Sequence, residues 1–103
     1  MQTEIENNSA RIIPEGDIDL TNAEKFKETF EELVEKEEVL HISLDFQHVD
    51  KIDSSGLGKI LLFHKMIKEK GGSLQVENVS SEYVARVFEM VNLDEIIEIK
   101  NQD

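Results

Sequence analysis

Six consecutive residues, Asp53-Ser54-Ser55-Gly56-Leu57-Gly58, put a carboxylate, two hydroxyls and two glycines within reach of one another. Three chemistries could use them. A serine nucleophile would need a general base and an oxyanion hole, and the surroundings of Gly56 do not read Gly-x-Ser-x-Gly. A phosphate loop would need more than Gly56-Leu57-Gly58, and no Gly-Lys-Ser/Thr follows. Asp53 could join Asp17 and Asp19 around a divalent cation, but turns and helix caps explain isolated aspartates more simply. The three histidines, His41, His48 and His64, form no i,i+4 metal-binding pair. No catalytic residue, metal site or cofactor is assigned on this basis. What remains is a helix start: Asp and Ser are both strong N-caps, and the first amides of a helix point towards such a corner.

The elements around this corner alternate. Residues 2–7 and 10–14 read as short strands about the Asn7-Asn8-Ser9 turn, with Pro14 at a strand end. Glu15-Gly16-Asp17-Ile18-Asp19 reads as a tight polar stretch. Thr21-Asn22-Ala23-Glu24 fits a capping box, with Thr21 as N-cap. The helix that follows sets Ala23, Phe26, Phe30, Leu33 and Val34 on one face. Leu40, Ile42, Leu44 and Phe46 alternate with polar residues, the period of a strand, and a further strand ends at Ile52. The second helix runs from the Asp53 turn to a stop at Gly71-Gly72. Its apolar face is wide: Leu57, Ile60, Leu61 and Ile67, flanked by Leu62, Phe63 and Met66. Such a face suits a helix wedged between a sheet and another helix, or one that meets a partner. Ser73–Val76 is a short strand. Ser80 or Ser81 caps a third helix carrying Val84, Val87, Phe88 and Val91, and Ile96–Ile99 is a last strand. Alternating strands and amphipathic helices predict an α/β fold with parallel crossovers: a mixed four- to five-stranded sheet with three to four helices mainly on one face.

At 103 residues, with 39% apolar and 33% charged residues, the chain suits a single globular domain over 1–103. There is no cysteine, which excludes disulfides and thiolate chemistry and fits a reducing compartment. Met1–Glu6 lacks the basic and apolar blocks of a signal peptide, and the expected location is cytoplasmic. The net charge is −12, from 23 acidic and 11 basic residues. That sign disfavours nucleic acid and anionic membrane as partners and speeds encounter with a basic protein surface. It also keeps a small domain soluble, whatever it binds.

The run from Val49 to Leu61, with Asp53-Ser54-Ser55-Gly56-Leu57-Gly58 at its centre, resembles the signature of the STAS domain, in particular the bacterial anti-sigma factor antagonists. The resemblance extends through Gly16-Asp17-Ile18-Asp19, Thr21-Asn22-Ala23, Leu44-Asp45-Phe46, Gly71-Gly72 and Val87-Phe88-Glu89-Met90-Val91-Asn92-Leu93, in the expected order over nearly the whole chain. Lys59 stands where many relatives carry an aliphatic residue.

The resemblance implies a binding protein with no turnover of its own. Its partners would be an anti-sigma factor that is also a serine kinase, and a PP2C-type phosphatase. The phosphorylated serine would be the one after the aspartate, Ser54. The cap alone does not separate it from Ser55. The unphosphorylated form would bind the anti-sigma factor and release the sigma factor. Asp17, Asp19, Thr21, Asp53, Ser54, Ser55, Gly56, Leu57 and Gly58 are the expected docking residues, and a monomer is expected when free. The alternative is a STAS scaffold or accessory subunit of a signalling or transport complex, working without phosphorylation.

Overall fold

The computed structural model describes residues 1–100. Its first two strands, β1 (Gln2–Glu6) and β2 (Ser9–Ile13), form an antiparallel hairpin. β3 (Glu15–Ile18) follows Pro14 and leads to α1 (Ala23–Glu31), which continues into a π-helical turn, Glu32–Lys36. β4 (His41–Asp45) and β5 (His48–Ile52) precede the longest helix, α2 (Ser54–Glu69). β6 (Ser73–Glu77), α3 (Glu82–Met90), a 3-10 turn at Leu93–Glu95 and β7 (Glu98–Lys100) complete the chain. Among the described residues, no helix is long and apolar enough to cross a membrane.

The strands form two sheets. Five pair in the order β1-β2-β4-β6-β7, parallel from β2 onwards. The expected mixed sheet is therefore present. Separately, β3 and β5 pair in parallel, with a shift in register at Gly16/Asp17. The tight polar stretch expected over Glu15–Asp19 is thus a strand over Glu15–Ile18. Its only large apolar residue is Ile18, so no alternation marks it, and the backbone pairing with β5 that holds it is non-local.

Alternation in the main sheet decides which face the helices cover. Ala10, Ile12, Ile42, Leu44, Leu74 and Val76 are buried in the core, while Arg11, His41 and Ser73 between them are exposed. The open face is polar and bonded across strands: His41 to Ser73 at 2.8 Å, Gln75 to Ser43 at 2.9 Å, and Arg11 to Glu77 at 2.9 Å.

α2 buries a narrow stripe, Gly56, Ile60, Phe63 and Ile67, at helical spacing. Phe63 lies at the centre of the aromatic core. Its ring stacks on Phe30 at 4.1 Å and meets the edge of Phe26 at 4.9 Å, both from α1. Leu61 instead faces solvent, and Leu57, Leu62 and Met66 are half-buried. The wide apolar face is therefore a wedge between α1 and the sheets on one side only. α3 follows its expected cap: the Ser81 hydroxyl oxygen accepts the Val84 amide at 3.2 Å and donates to the Asp50 carbonyl at 2.7 Å. Val84 and Phe88 are buried, whereas Val91 is exposed. The last strand starts later than expected, since Ile96 and Ile97 belong to the turn.

Gly72 and Gly58 make opposite demands. A Cβ at Gly72 would stand 2.0 Å from the Leu40 carbonyl oxygen, where the chain turns from α2 into β6. A Cβ at Gly58 would meet nothing within 4 Å. Gly72→Ala is expected to destabilise the domain by about 1–3 kcal/mol or more, as overpacking does. Gly58→Ala is expected to stabilise it by up to ~1 kcal/mol, because alanine is the better helix residue. Urea unfolding of both variants checks this; equal midpoints would contradict the packing described.

Candidate functional site

β3 and β5 end side by side, and the site is built on their ends. Asp53 is the first residue beyond β5 and binds in four directions. Its amide donates to the Ile18 carbonyl at 3.1 Å, continuing the pairing of the two strands. Its Oδ1 accepts the Gly56 amide at 3.0 Å, and its carbonyl accepts the Leu57 amide at 3.0 Å. Its Oδ2 accepts the Leu20 amide at 3.3 Å. One side chain thus caps α2 and holds the loop between β3 and α1 against that cap.

The cap is Asp53, and the serines are the first two helical residues. Neither serine amide can bond within the helix at these positions, and both lie at its positive end. Ser54 is exposed; Ser55 is half-buried. Gly56 is buried, and a Cβ there would lie 2.8 Å from both Ile18 and Ile52. Its lack of a side chain lets α2 start directly on the two strand ends. Gly58 is exposed over open space, one turn beyond Ser54 on the same face. Two glycines that look alike in the sequence therefore do different work, one inward and one outward.

The β3–α1 loop is equally fixed. The Asp19 Oδ1 accepts the Thr21 amide at 3.0 Å and the Thr21 hydroxyl at 2.6 Å. The Asp19 amide donates to the Asn22 Oδ1 at 2.9 Å, and the Asn22 side-chain amide donates to the Asp17 carbonyl. The Asp19 carbonyl accepts the amides of Asn22 and Ala23 at 3.1 and 2.8 Å.

The expected capping box is therefore absent. The N-cap of α1 is Asn22, without a side-chain cap bond, and Thr21 is held by Asp19. In a capping box the Thr21 hydroxyl oxygen would accept a helix amide; here the hydroxyl is turned back to donate to the ionised Asp19 carboxylate, a strong acceptor, and the Asp19 carbonyl takes the first amides instead. Glu24, released from that role, pairs with Lys27 at 3.9 Å and with Lys59 at 3.7 Å. Lys59 thereby ties α2 to α1.

The structure brings Asp19, Thr21, Asp53, Ser54, Ser55, Gly56, Leu57 and Gly58 to one corner, with Asp17 just inside β3. Asn22 was not singled out from sequence, although an Asn before a helical stripe is itself a cap signal. The carboxylates of Asp19 and Asp53 are occupied by amide and hydroxyl donors rather than turned towards a common centre. Among the described residues, no group of three or more His, Asp or Glu is placed to hold a metal ion.

The Thr21 hydroxyl holds the Asp19 carboxyl below its usual range; desolvation opposes it, and backbone hydrogen bonds at Thr21, Asn22 and Asp19 add to the lowering. A carboxyl lowered in the folded state adds stability above its unfolded pKa. That stability is lost as pH falls through the folded value. In a carboxyl-carbon NMR titration Asp19 is expected to titrate below an unstructured aspartate, and Thr21→Val to move its midpoint up. A midpoint unmoved by Thr21→Val would contradict the assignment.

Comparison with known proteins gives this corner a context. The STAS domain family model matches residues 2–102. The chain is 37% identical over 92 residues to the anti-sigma-B factor antagonist of Bacillus subtilis (strain 168), covering 89% of this chain and 82% of that protein. It is 30% identical over 105 residues to the anti-sigma F factor antagonist of Paenibacillus polymyxa, covering 100% of this chain and 89% of that one. A crystal structure from Thermotoga maritima superposes with a TM-score of 0.89 at 28% identity, over 98% of this chain and 86% of its own. With a family model spanning the fold and the site alike, and with relatives of this identity along nearly its full length, the chain belongs to the STAS domain family, among the bacterial anti-sigma factor antagonists.

Proposed function

We propose that this protein is an anti-sigma factor antagonist switched at Ser54. Its unphosphorylated form binds an anti-sigma factor that is also a serine kinase, and the sigma factor is released. Phosphorylation of Ser54 by that kinase ends the binding, and a PP2C-type phosphatase restores it. The protein itself turns nothing over and works in the cytoplasm. The observation that carries the reading is the difference between the two serines. Ser54 is exposed at the first turn of α2, whereas Ser55 is half-buried in the same turn. The names of the two relatives support antagonism of an anti-sigma factor, and they differ in the sigma factor concerned.

Electrostatics favours a switch that acts through docking. A phosphoserine carries about −1.5 to −2 charges near neutral pH. At a helix N-terminus an anion gains roughly 0.3–1 kcal/mol. The neighbouring Asp53 carboxylate opposes it, by about 4 kcal/mol per pair of unit charges roughly 4 Å apart near a protein surface and by less when solvated. These effects partly cancel while the phosphate stays in water. Under a partner, an unpaired phosphate loses its water at a cost on the order of several kcal/mol. Each ~1.4 kcal/mol is a factor of ten in affinity.

The test is a phosphorylation assay with ATP and a candidate anti-sigma kinase from the same organism, read by intact mass. The wild type and Ser55→Ala are expected to gain one phosphate, and Ser54→Ala none. A phosphate retained in Ser54→Ala would overturn the assignment of the residue. A stable complex with the kinase and no phosphate on the wild type would overturn the switch and favour a scaffold role.

A further inference from the structure

Leu20 is 77% exposed, in the middle of a loop whose other residues are all bonded. Its own amide is held by Asp53 Oδ2, and the residues on either side are locked by the Asp19–Thr21 and Asp19–Asn22 bonds. A large aliphatic side chain is thus displayed to solvent on a backbone that is already ordered. An isolated exposed leucine is ordinary; one fixed on both sides, one hydrogen bond from the residue preceding Ser54, is not.

The neighbouring face of α2 continues the pattern. Ser54, Gly58 and Leu61 follow one another along one exposed ridge, with Gly58 bare and Leu61 42% exposed. Around them stand the exposed carboxylates of Asp17 and Asp53 and the Asp19 carboxylate, which is held in its ionised form.

We propose that Leu20 is the apolar anchor of the docking surface. It would enter a hydrophobic pocket on the anti-sigma factor, a pocket bordered by lysines or arginines that match the acidic rim. This rests on the reading of Ser54 as the partner-facing switch. It adds the residue that draws the partner down onto that serine. Ordering costs at the anchor are already met by the hydrogen bonds of the loop, so less of the contact is lost to ordering on binding. Anchoring at Leu20 brings the partner surface over Ser54, so a phosphate there has no room to keep its water.

The experiment is calorimetric titration of the cognate anti-sigma factor with the wild type, Leu20→Ala, Leu20→Met and Met90→Ala. Met90 is a control with the same 77% exposure, carried by α3. Leu20→Ala is expected to weaken binding about tenfold or more, equivalent to ~1.4 kcal/mol. Leu20→Met and Met90→Ala are expected to stay within about threefold of the wild type, less than ~0.7 kcal/mol. Thermal midpoints of all four proteins are expected to agree, since nothing in the domain covers Leu20. Leu20→Ala binding like the wild type would overturn the anchor and leave the Ser54 switch standing. No binding by the wild type would overturn both. Self-association of the wild type that Leu20→Ala abolishes, with anti-sigma affinity unchanged, would overturn the proposal in favour of a second copy as occupant.

Discussion

The four hydrogen bonds of Asp53 are the constraint on which the rest of the site depends. Its amide joins the end of β5 to the end of β3, its carboxylate caps α2, and the second carboxylate oxygen holds the loop before α1. An asparagine would keep an acceptor for one amide but not the charge that favours two. An alanine would leave the Gly56 and Leu20 amides without their partner, and loss of such a cap typically costs ~0.5–2 kcal/mol. The same carboxylate that organises the corner is also the nearest negative charge to the proposed phosphate. The turn is therefore ordered without a phosphate and would have little order to gain from one.

Two layers of packing turn this local arrangement into a rigid platform. Gly56 lets α2 sit directly on Ile18 and Ile52, so the helix start cannot move without moving both strand ends. Further along, Phe63 locks α2 between the rings of Phe26 and Phe30. Lys59 adds an ion pair to Glu24 across α1 and α2; being partly solvated, it contributes little to stability. The proposed phosphate on Ser54 would thus act on a surface backed by the aromatic core, and would read out through what can dock rather than through refolding.

Much of this was legible in the sequence because the signals were local. The stripe Ala23, Phe26 and Phe30, the alternation from Leu40 to Phe46, the start of α2 at Asp53 and the Ser81 cap all follow from neighbours within a few residues. The failures share a different cause. β3 has one apolar anchor, Ile18, and owes its existence to pairing with a strand about 33 residues on in register. Thr21 matched a capping box, but an aspartate two residues earlier accepts its hydroxyl proton and turns the side chain away from the helix amides. Gly56 and Gly58 are indistinguishable by pattern, because what separates them is whether Ile18 or open solvent lies beyond the Cβ. Leu61 lies in the same apolar run as Phe63, and only the position of α1 decides which one is buried.

The central claim is that Ser54 carries the switch on a corner that stays folded in both states. Comparing backbone amide NMR spectra of the unphosphorylated and Ser54-phosphorylated protein tests it most directly. The account predicts shifts confined to residues 17–22 and 53–58, with the amides of β2, β4 and β6 unmoved. Widespread shifts across those three strands would contradict it, and would place the switch in the fold rather than at its surface.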